Sequence, residues 1–265
     1  MTELVVQAQA VTLSFGGLTA LQDFHLQVRR GELQGIIGPN GAGKTTAFNV
    51  LTGMYVPGSG SIQIAGQSTH GFSPARIARL GIARTYQNIR LFHGFTVLQT
   101  VAVACHARRA PSWTATLAAL TSAARSEQAI GQFAQQWLAR VGLTHRANDI
   151  ATSLPYGEQR RLEIARALAT EPQCLLLDEP AAGLNAVERA DLVALIRRLR
   201  DTLGLAVVLI EHDMKLVMSL CERVLVLDHG CTIAEGSPDQ VRGDPAVIEA
   251  YLGDVSFGQE EPGHA

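Results

Sequence analysis

The sequence predicts an α/β fold with a mostly parallel sheet, an antiparallel β segment at the N-terminus and a helical segment inserted in the middle. Three observations support this prediction. Short apolar runs alternate with helical patterns before and after the middle of the chain, as in βαβ units. The first thirty residues show partial period-two alternation, which favours strands. Residues 96–144 are rich in alanine and glutamine and poor in strand-forming residues.

Composition limits the classes of protein to which the chain can belong. Its 265 residues are 47% hydrophobic, enough for one large domain with an inserted subdomain. The formal net charge of −2 offers no basic surface for nucleic acid or anionic lipid. The N-terminus lacks the features of a signal peptide, and no apolar run is long enough for a membrane span. The uncharged stretch 110–124 is interpreted as part of a helical segment.

The cysteines indicate free thiols in a reducing compartment. They are scattered and form no Cys-x-x-Cys pair, so zinc binding and thioredoxin-type chemistry are not expected. The four positions are Cys105, Cys174, Cys221 and Cys231.

The first elements lead from antiparallel strands into a buried parallel strand. Residues 5–11 and 24–28 are predicted strands, with turn residues at 16–17 and 30–32. The apolar run 33–37 then predicts a buried strand. A helix is predicted directly after the glycine-rich stretch that follows this strand.

That glycine-rich stretch, residues 38–45, fits the phosphate-loop pattern of Gly, four residues, Gly-Lys and Ser/Thr. A glycine turn between a strand and a helix N-terminus directs backbone N–H groups at an anion, and the helix dipole adds positive potential. Lys44 is predicted to reach the β- and γ-phosphates, and the Thr45 hydroxyl to hold Mg²⁺. The sequence therefore predicts that a nucleoside triphosphate binds here. The predicted binding residues are Gly38, Pro39, Asn40, Gly41, Ala42, Gly43, Lys44, Thr45 and Thr46.

The middle of the chain moves from strands to helices. After a turn at 56–60, residues 61–64 are a predicted strand, and Ser73 and Pro74 are the N-cap and first residue of a short helix. A strand-like stretch then ends at Gln87. The two predicted helices of the insert cover residues 96–104 and 129–138.

The second half returns to strands alternating with helices. The predicted helices are 157–169, 187–203 and 214–221, and the predicted strands are 174–177, 206–210 and 224–227. A loose tail is predicted from Gly253 onward. The predicted domains are residues 1–95, a core with the antiparallel segment; 96–153, the helical insert; 154–252, the rest of the core; and 253–265, a flexible tail.

Two consecutive acidic residues, Asp178 and Glu179, follow the apolar strand predicted at 174–177. In a phosphate-loop nucleotidase, such a strand delivers one carboxylate to Mg²⁺ and places the next near the γ-phosphate. Asp178 is therefore a predicted metal ligand. Glu179 is the predicted general base that polarises the attacking water.

Five features of the sequence resemble those of the ATP-binding cassette (ABC) family, and each lies at the place along the chain where that family has it. The resemblance covers nearly the whole chain. The stretch Leu154, Pro155, Tyr156, Gly157, Glu158 and Gln159 resembles the signature loop, usually Leu-Ser-Gly-Gly-Gln. Gly183, Leu184 and Asn185 resemble the D-loop. His212 resembles the switch histidine, and Gln87 resembles the Q-loop glutamine. Phe15, ahead of the phosphate loop, resembles the aromatic residue that stacks on adenine.

The resemblance implies an ATPase with ATP and Mg²⁺ as its cofactors. Two such subunits would pair head to tail, with the signature loop of one facing the γ-phosphate held by the other. His212 would hydrogen-bond the γ-phosphate. Gln87 would touch the metal or the water and sense a membrane partner. The implied catalytic residues are thus Glu179, His212 and Gln87, and the implied metal ligands are Thr45, Gln87 and Asp178.

Departures from the family pattern identify a subgroup. Pro155 stands in place of the usual serine, Tyr156 in place of the first signature glycine, and Asn185 in place of the usual D-loop aspartate. These features, with residues 84–92 and the ending 251–253, resemble ATP-binding subunits of bacterial branched-chain amino acid importers. Urea or amide importers and lipopolysaccharide exporters are the alternatives. A chromosome- or repair-type ATPase would need long coiled-coil heptads, and a kinase or small GTPase would not carry these motifs together.

The resemblance also implies partners and a location. They are a second ATPase subunit in a homo- or heterodimer, two membrane permeases and, indirectly, a periplasmic binding protein. The location would be peripheral, at the cytoplasmic face of the inner membrane. The predicted permease-docking surface is the apolar-rich stretch Asn88, Ile89, Arg90, Leu91, Phe92 and Phe95. The alternative is that Leu91, Phe92 and Phe95 pack the insert against the core.

Overall fold

A computed structural model describes residues 3–109 and 123–256. The stretch 110–122, which covers most of the predicted segment 110–124, lies outside the described residues, as do residues 257–265. The chain divides into two compact units, one formed by residues 1–77 with 206–265 and the other by residues 78–205. The predicted domain boundaries differ from this division and stay predictions.

The first unit begins with an antiparallel sheet. Strands β1 (Leu4–Phe15) and β2 (Leu18–Arg29) pair as a long hairpin closed at Gly16-Gly17. Strand β4 (Ser59–Ile64) pairs with the other edge of β1, and the short β5 (Gln67–Ser68) follows β4. Alternate side chains of β1 and β2 are buried, so one face of this sheet packs on the core.

Parallel strands in the same unit lead into the phosphate loop. Strand β3 (Leu33–Ile37) pairs in parallel with β8 (Ala206–Ile210) on one side and β9 (Arg223–Asp228) on the other. All five residues of β3 are buried, as expected for a strand covered on both faces. Strand β10 (Cys231–Gly236) pairs antiparallel with β9. The helices of this unit are α1 (Lys44–Leu51), α7 (Met214–Leu220), α8 (Pro238–Arg242) and α9 (Pro245–Ser256), and helix α2 (Pro74–Arg79) spans its boundary at residue 77.

The second unit consists of helices around a parallel strand pair. Strands β6 (Ile82–Arg84) and β7 (Cys174–Asp178) pair in the register Arg84↔Leu176. The helices are α3 (Val97–Arg109), α4 (Ala123–Arg140), α5 (Tyr156–Leu168) and α6 (Ala186–Leu203), with short 3₁₀ turns at Thr144–Arg146 and Ala151–Ser153. Helices α3, α4 and α5 pack on one another.

Two expectations about element boundaries are wrong. The strand-like stretch expected to end at Gln87 ends at Arg84, because the backbone carbonyls of Tyr86 and Gln87 accept hydrogen bonds from Arg160 and not from a strand. The expectation of a tail from Gly253 is wrong for residues 253–256, because α9 continues to Ser256, and the rest of the predicted tail lies outside the described residues. The Ser73 cap is confirmed, since its hydroxyl accepts from the Arg76 N–H at 3.4 Å. In the described ranges, no helix is both long and apolar enough to cross a membrane.

Candidate nucleotide site

The phosphate loop lies between β3 and α1, as predicted. The Lys44 ammonium folds back over this loop and donates hydrogen bonds of 2.7 Å each to the carbonyls of Gly38 and Pro39. Lys44 is 6% exposed, whereas Asn40 and Thr45 face solvent. The loop is therefore arranged around its lysine, with the Thr45 side chain on the outside at the N-terminus of α1.

Two glycines are required by the close approach of other backbone segments. A Cβ at Gly38 would lie 2.0 Å from the Leu227 carbonyl oxygen. Gly43, the N-cap of α1, has a φ of 101°, and a Cβ there would lie 2.8 Å from the Ala20 carbonyl oxygen. Only glycine fits such positions without displacing the backbone. Packing alone therefore requires glycine at both positions, the residue type that is also predicted for a phosphate-binding loop.

Three further side chains of the first unit bear on the site. Phe15, at the end of β1, is 47% exposed and contacts Tyr55 edge to face at a centroid distance of 5.1 Å. It is therefore not a buried core aromatic. His212 follows β8 and is exposed, and its backbone N–H donates to the Glu211 carboxylate at 3.2 Å. Burial raises the pKa of Tyr251 in α9, and a hydrogen bond from the Gly38 backbone opposes this shift.

The two acidic residues at the end of β7 each have a specific partner within the second unit. The Gln87 amide donates to Glu179 Oε2 at 2.8 Å, so the structure brings these two predicted residues together. Glu179 has a φ of 46°, an uncommon conformation for a residue with a side chain. Asp178 is 3% exposed, and its Oδ2 lies 2.6 Å from a guanidinium nitrogen of Arg84.

The signature loop leads into α5. Pro155 is the N-cap, and its carbonyl accepts from the N–H groups of Glu158 and Gln159, each at 2.9 Å. The Gln159 amide donates back to the Leu154 carbonyl at 2.8 Å. A Cβ at the buried Gly157 would lie 2.9 Å from a carboxylate oxygen of Glu188, so a larger residue there would have to displace the Glu188 side chain.

The D-loop leads into α6 in a similar way. The Asn185 side chain accepts from the N–H groups of Val187 and Glu188 at 3.0 Å, and the Glu188 carboxylate accepts from the Asn185 N–H at 3.0 Å. This reciprocal capping box shows that the Asn185 amide oxygen caps α6, a role in which asparagine and aspartate are equally favoured. Gly183 has a φ of 77°, and a Cβ there would lie 3.1 Å from the Tyr156 ring.

Residues 21–182 match the family model described as ABC transporter. The chain belongs to this family. The predicted family and the predicted α/β ATPase fold are thereby confirmed, and the cassette is an ATPase of the ABC transporter family. Residues 231–255 match a second model, described as branched-chain amino acid ATP-binding cassette transporter.

The similarity to two relatives extends over almost the whole cassette. It is 46% identical over 255 residues to the high-affinity branched-chain amino acid transport ATP-binding protein BraF of Pseudomonas aeruginosa, with 96% of this chain and 100% of the relative covered. It is 43% identical, with the same coverage, to the protein of the same description, LivG, of Escherichia coli.

Solved structures agree with this assignment. An ATP-binding cassette of an ABC transporter, in its ADP conformation, is 28% identical with a TM-score of 0.80, covering 95% of this chain and 100% of that one. A nucleotide-free cassette from an ABC transporter is also 28% identical, with a TM-score of 0.81 and coverage of 94% and 98%.

Sequence reasoning missed a buried ionic cluster in the cassette. Arg160 is fully buried and donates to the carbonyls of Tyr86 and Gln87 at 2.9 Å each and to the Tyr156 hydroxyl at 3.1 Å. Glu163 pairs with it at 3.0 Å. Burial raises the pKa of the Glu163 carboxyl, while Arg160 and Arg166 oppose this shift. Opposite charges three residues apart on an otherwise apolar helix face were the available signal.

Proposed function

We propose that this cassette is the ATP-hydrolysing subunit of an importer of branched-chain or related amino acids. The observation that carries the proposal is the similarity to BraF and LivG, which extends over 255 residues and includes the C-terminal match at residues 231–255. ATP hydrolysis belongs to the family. The identity of the imported ligand is proposed from these relatives, which are branched-chain amino acid transport proteins.

The proposed residue roles combine phosphate-loop chemistry for Lys44 and Glu179 with the resemblance to the ABC family for Phe15, Gln87, His212 and the signature loop. Lys44 and the loop N–H groups bind the β- and γ-phosphates, and Phe15 stacks on the adenine. Glu179 polarises the attacking water, and Gln87, which already donates to it, orders the same water. His212 donates to the γ-phosphate. The signature loop of a second subunit completes the charge stabilisation, and backbone N–H groups supply it because Pro155 has no hydroxyl.

A threonine hydroxyl and a carboxylate are oxygen donors of the kind that Mg²⁺ takes when it binds together with a nucleotide. No group of three or more His, Cys, Asp or Glu side chains within residues 3–109 and 123–256 is arranged to hold a metal alone. Mg²⁺ normally takes one or two carboxylates, phosphate oxygens and water, so it does not need such a group. Thr45 and Asp178 are the proposed ligands, with Gln87 at the edge of the metal shell. The ion would neutralise charge on the β- and γ-phosphates.

The proposed partners are a second ATPase subunit, identical or different, two membrane permeases and, through them, a periplasmic binding protein. Membrane permeases are the partners that membership of this family implies. The proposed location is therefore at the cytoplasmic face of the inner membrane, held there by protein contacts.

Uptake by cells tests the proposed ligand. Deleting the gene from its host is expected to abolish high-affinity uptake of labelled leucine, isoleucine and valine, and the wild-type gene should restore it. Loss of urea uptake with amino acid uptake intact would favour the urea importer. Loss of outer-membrane lipopolysaccharide would favour the export system.

We propose residues 88–92 together with Phe95 as the permease-docking surface. Phe92 and Phe95 are 45% and 37% exposed, with their ring centroids 5.3 Å apart. Exposed neighbouring aromatic rings argue against the alternative in which they pack the insert against the core. The surface directly follows Gln87, whose amide contacts Glu179, so a permease bound here would lie one residue from the proposed catalytic group.

Replacing Phe92 by Asp tests this surface. Because Phe92 is exposed, we expect the isolated cassette to fold and bind ATP, while co-purification of the permease and ligand-stimulated hydrolysis fall together, each by about 10-fold or more. The matched control is Ile248→Asp, which places the same charge at another apolar residue, 47% exposed, on α9. Unfolding of Phe92→Asp would support the packing alternative, and normal permease binding would place the docking site elsewhere.

A further inference from the structure

Arg84 and Asp178 form a buried ion pair. The guanidinium nitrogen and Asp178 Oδ2 are 2.6 Å apart, and the two side chains are 6% and 5% exposed. A charge-assisted hydrogen bond of this length, shielded from solvent, fixes both side chains more firmly than a surface pair does. Asp178 is thus held by a partner 94 positions away in the sequence.

The backbone of β6 and β7 fixes both ends of this pair. The two strands pair in parallel with Arg84 opposite Leu176, and the Thr85 N–H donates to the Leu176 carbonyl at 2.9 Å. The Thr85 hydroxyl in turn accepts from the Asp178 N–H at 3.4 Å. Arg84 therefore has little freedom to leave the carboxylate.

The Tyr86 ring also restricts the arginine. The guanidinium carbon of Arg84 lies 5.1 Å from the ring centroid, and that of Arg90 lies at the same distance. A planar guanidinium that both stacks on a ring and donates to a carboxylate has a defined orientation, which a lysine ammonium would not have.

We propose that Arg84 is a positioning residue that orients the Asp178 carboxylate for Mg²⁺. The inference rests on the proposed function, in which Asp178 is a metal ligand. Arg84 holds Oδ2, which leaves Oδ1 as the oxygen proposed for the metal. Partners that orient a metal-binding carboxylate contribute to affinity although they do not touch the ion.

A purely structural role is the competing explanation. An arginine that only neutralises a buried carboxylate would affect folding stability and leave Mg²⁺ binding unchanged in the folded fraction. The two roles are separated by measuring how much Mg²⁺ strengthens nucleotide binding, because binding in EDTA reports only the contacts that do not involve the metal.

The experiment titrates a fluorescent, non-hydrolysable ATP analogue into the full-length cassette, in EDTA and at increasing Mg²⁺ concentration. Arg84→Met is expected to bind the analogue in EDTA with wild-type affinity. It should need about 10–100-fold more Mg²⁺ to reach half of the increase in nucleotide affinity that the metal produces. Arg84→Lys should give a smaller shift, because its ammonium keeps the charge without the planar fork. Arg200→Met is the control, since it removes a 2.7 Å ion pair with Asp201 at the end of α6.

Wild-type Mg²⁺ dependence in folded Arg84→Met would overturn the inference. If Arg84→Met does not fold, as judged by its thermal melt, Arg84→Lys decides, and an unchanged Mg²⁺ half-saturation in that variant would also overturn it. Asp178→Asn separates this inference from the proposed function. If Asp178→Asn retains the metal-dependent gain, Asp178 is not a metal ligand and the proposed role itself fails. If only Asp178→Asn loses the gain, the Arg84 inference alone fails.

Discussion

Replacing Lys44 by Ala is expected to reduce ATP hydrolysis by the assembled transporter at least about 100-fold, the usual cost of losing a preorganised charge partner at a reacting group. The ammonium is the main side-chain partner proposed for the β- and γ-phosphates. In the structure it also connects the carbonyls of Gly38 and Pro39, so its loss removes two hydrogen bonds that shape the loop. The expected defect therefore includes weaker nucleotide binding as well as slower turnover.

The measurement is steady-state phosphate release together with nucleotide affinity of the isolated cassette. The matched control is Lys215→Ala, because Lys215 is the second of the two lysines in the sequence and is exposed on α7. Hydrolysis by Lys44→Ala within twofold of wild type would contradict the proposed phosphate-loop role. A thermal melt checks that both variants fold.

Replacing Glu179 by Gln is expected to preserve ATP binding and to slow hydrolysis by about 100-fold or more, because the attacking water loses its base. The glutamine carbonyl can still accept the hydrogen bond that Gln87 donates at 2.8 Å in the wild type, so the local geometry should persist. A variant that binds ATP but does not cleave it should accumulate as an ATP-bound dimer, which size-exclusion chromatography with light scattering would detect.

Glu171→Gln is the matched control for this variant. Glu171 also has a positive φ, 52° compared with 46° at Glu179, but it is exposed in the loop before β7. The same chemical change on the same type of backbone should leave turnover unchanged. Wild-type turnover by Glu179→Gln would show that the general base is another residue.

Local sequence signals predicted the strands next to the proposed phosphate site. The apolar run 33–37 and its flanking turn residues gave the bounds of β3, and the run 174–177 gave all but the last residue of β7. Strand β10 and helices α8 and α9 were not predicted. Strand β10 is an edge strand with no fully buried residue, so it lacks a clear alternation. Helix α8 did carry a usable signal, the capping box of Ser237 and Gln240 with Pro238 between them.

By itself, the sequence determined the α/β class, the phosphate-loop motif and the choice of Asp178 and Glu179 as candidate site carboxylates. Each of these depends on residues adjacent in the chain. Only the tertiary structure decided which side chain each carboxylate meets. Gln87 and Glu179 are 92 positions apart, and Arg84 and Asp178 are 94 apart. The parallel register of β6 against β7 brings these pairs together, and hydrogen bonds between distant strands set that register. No periodicity within either strand specifies its partner, so these contacts followed from the fold alone.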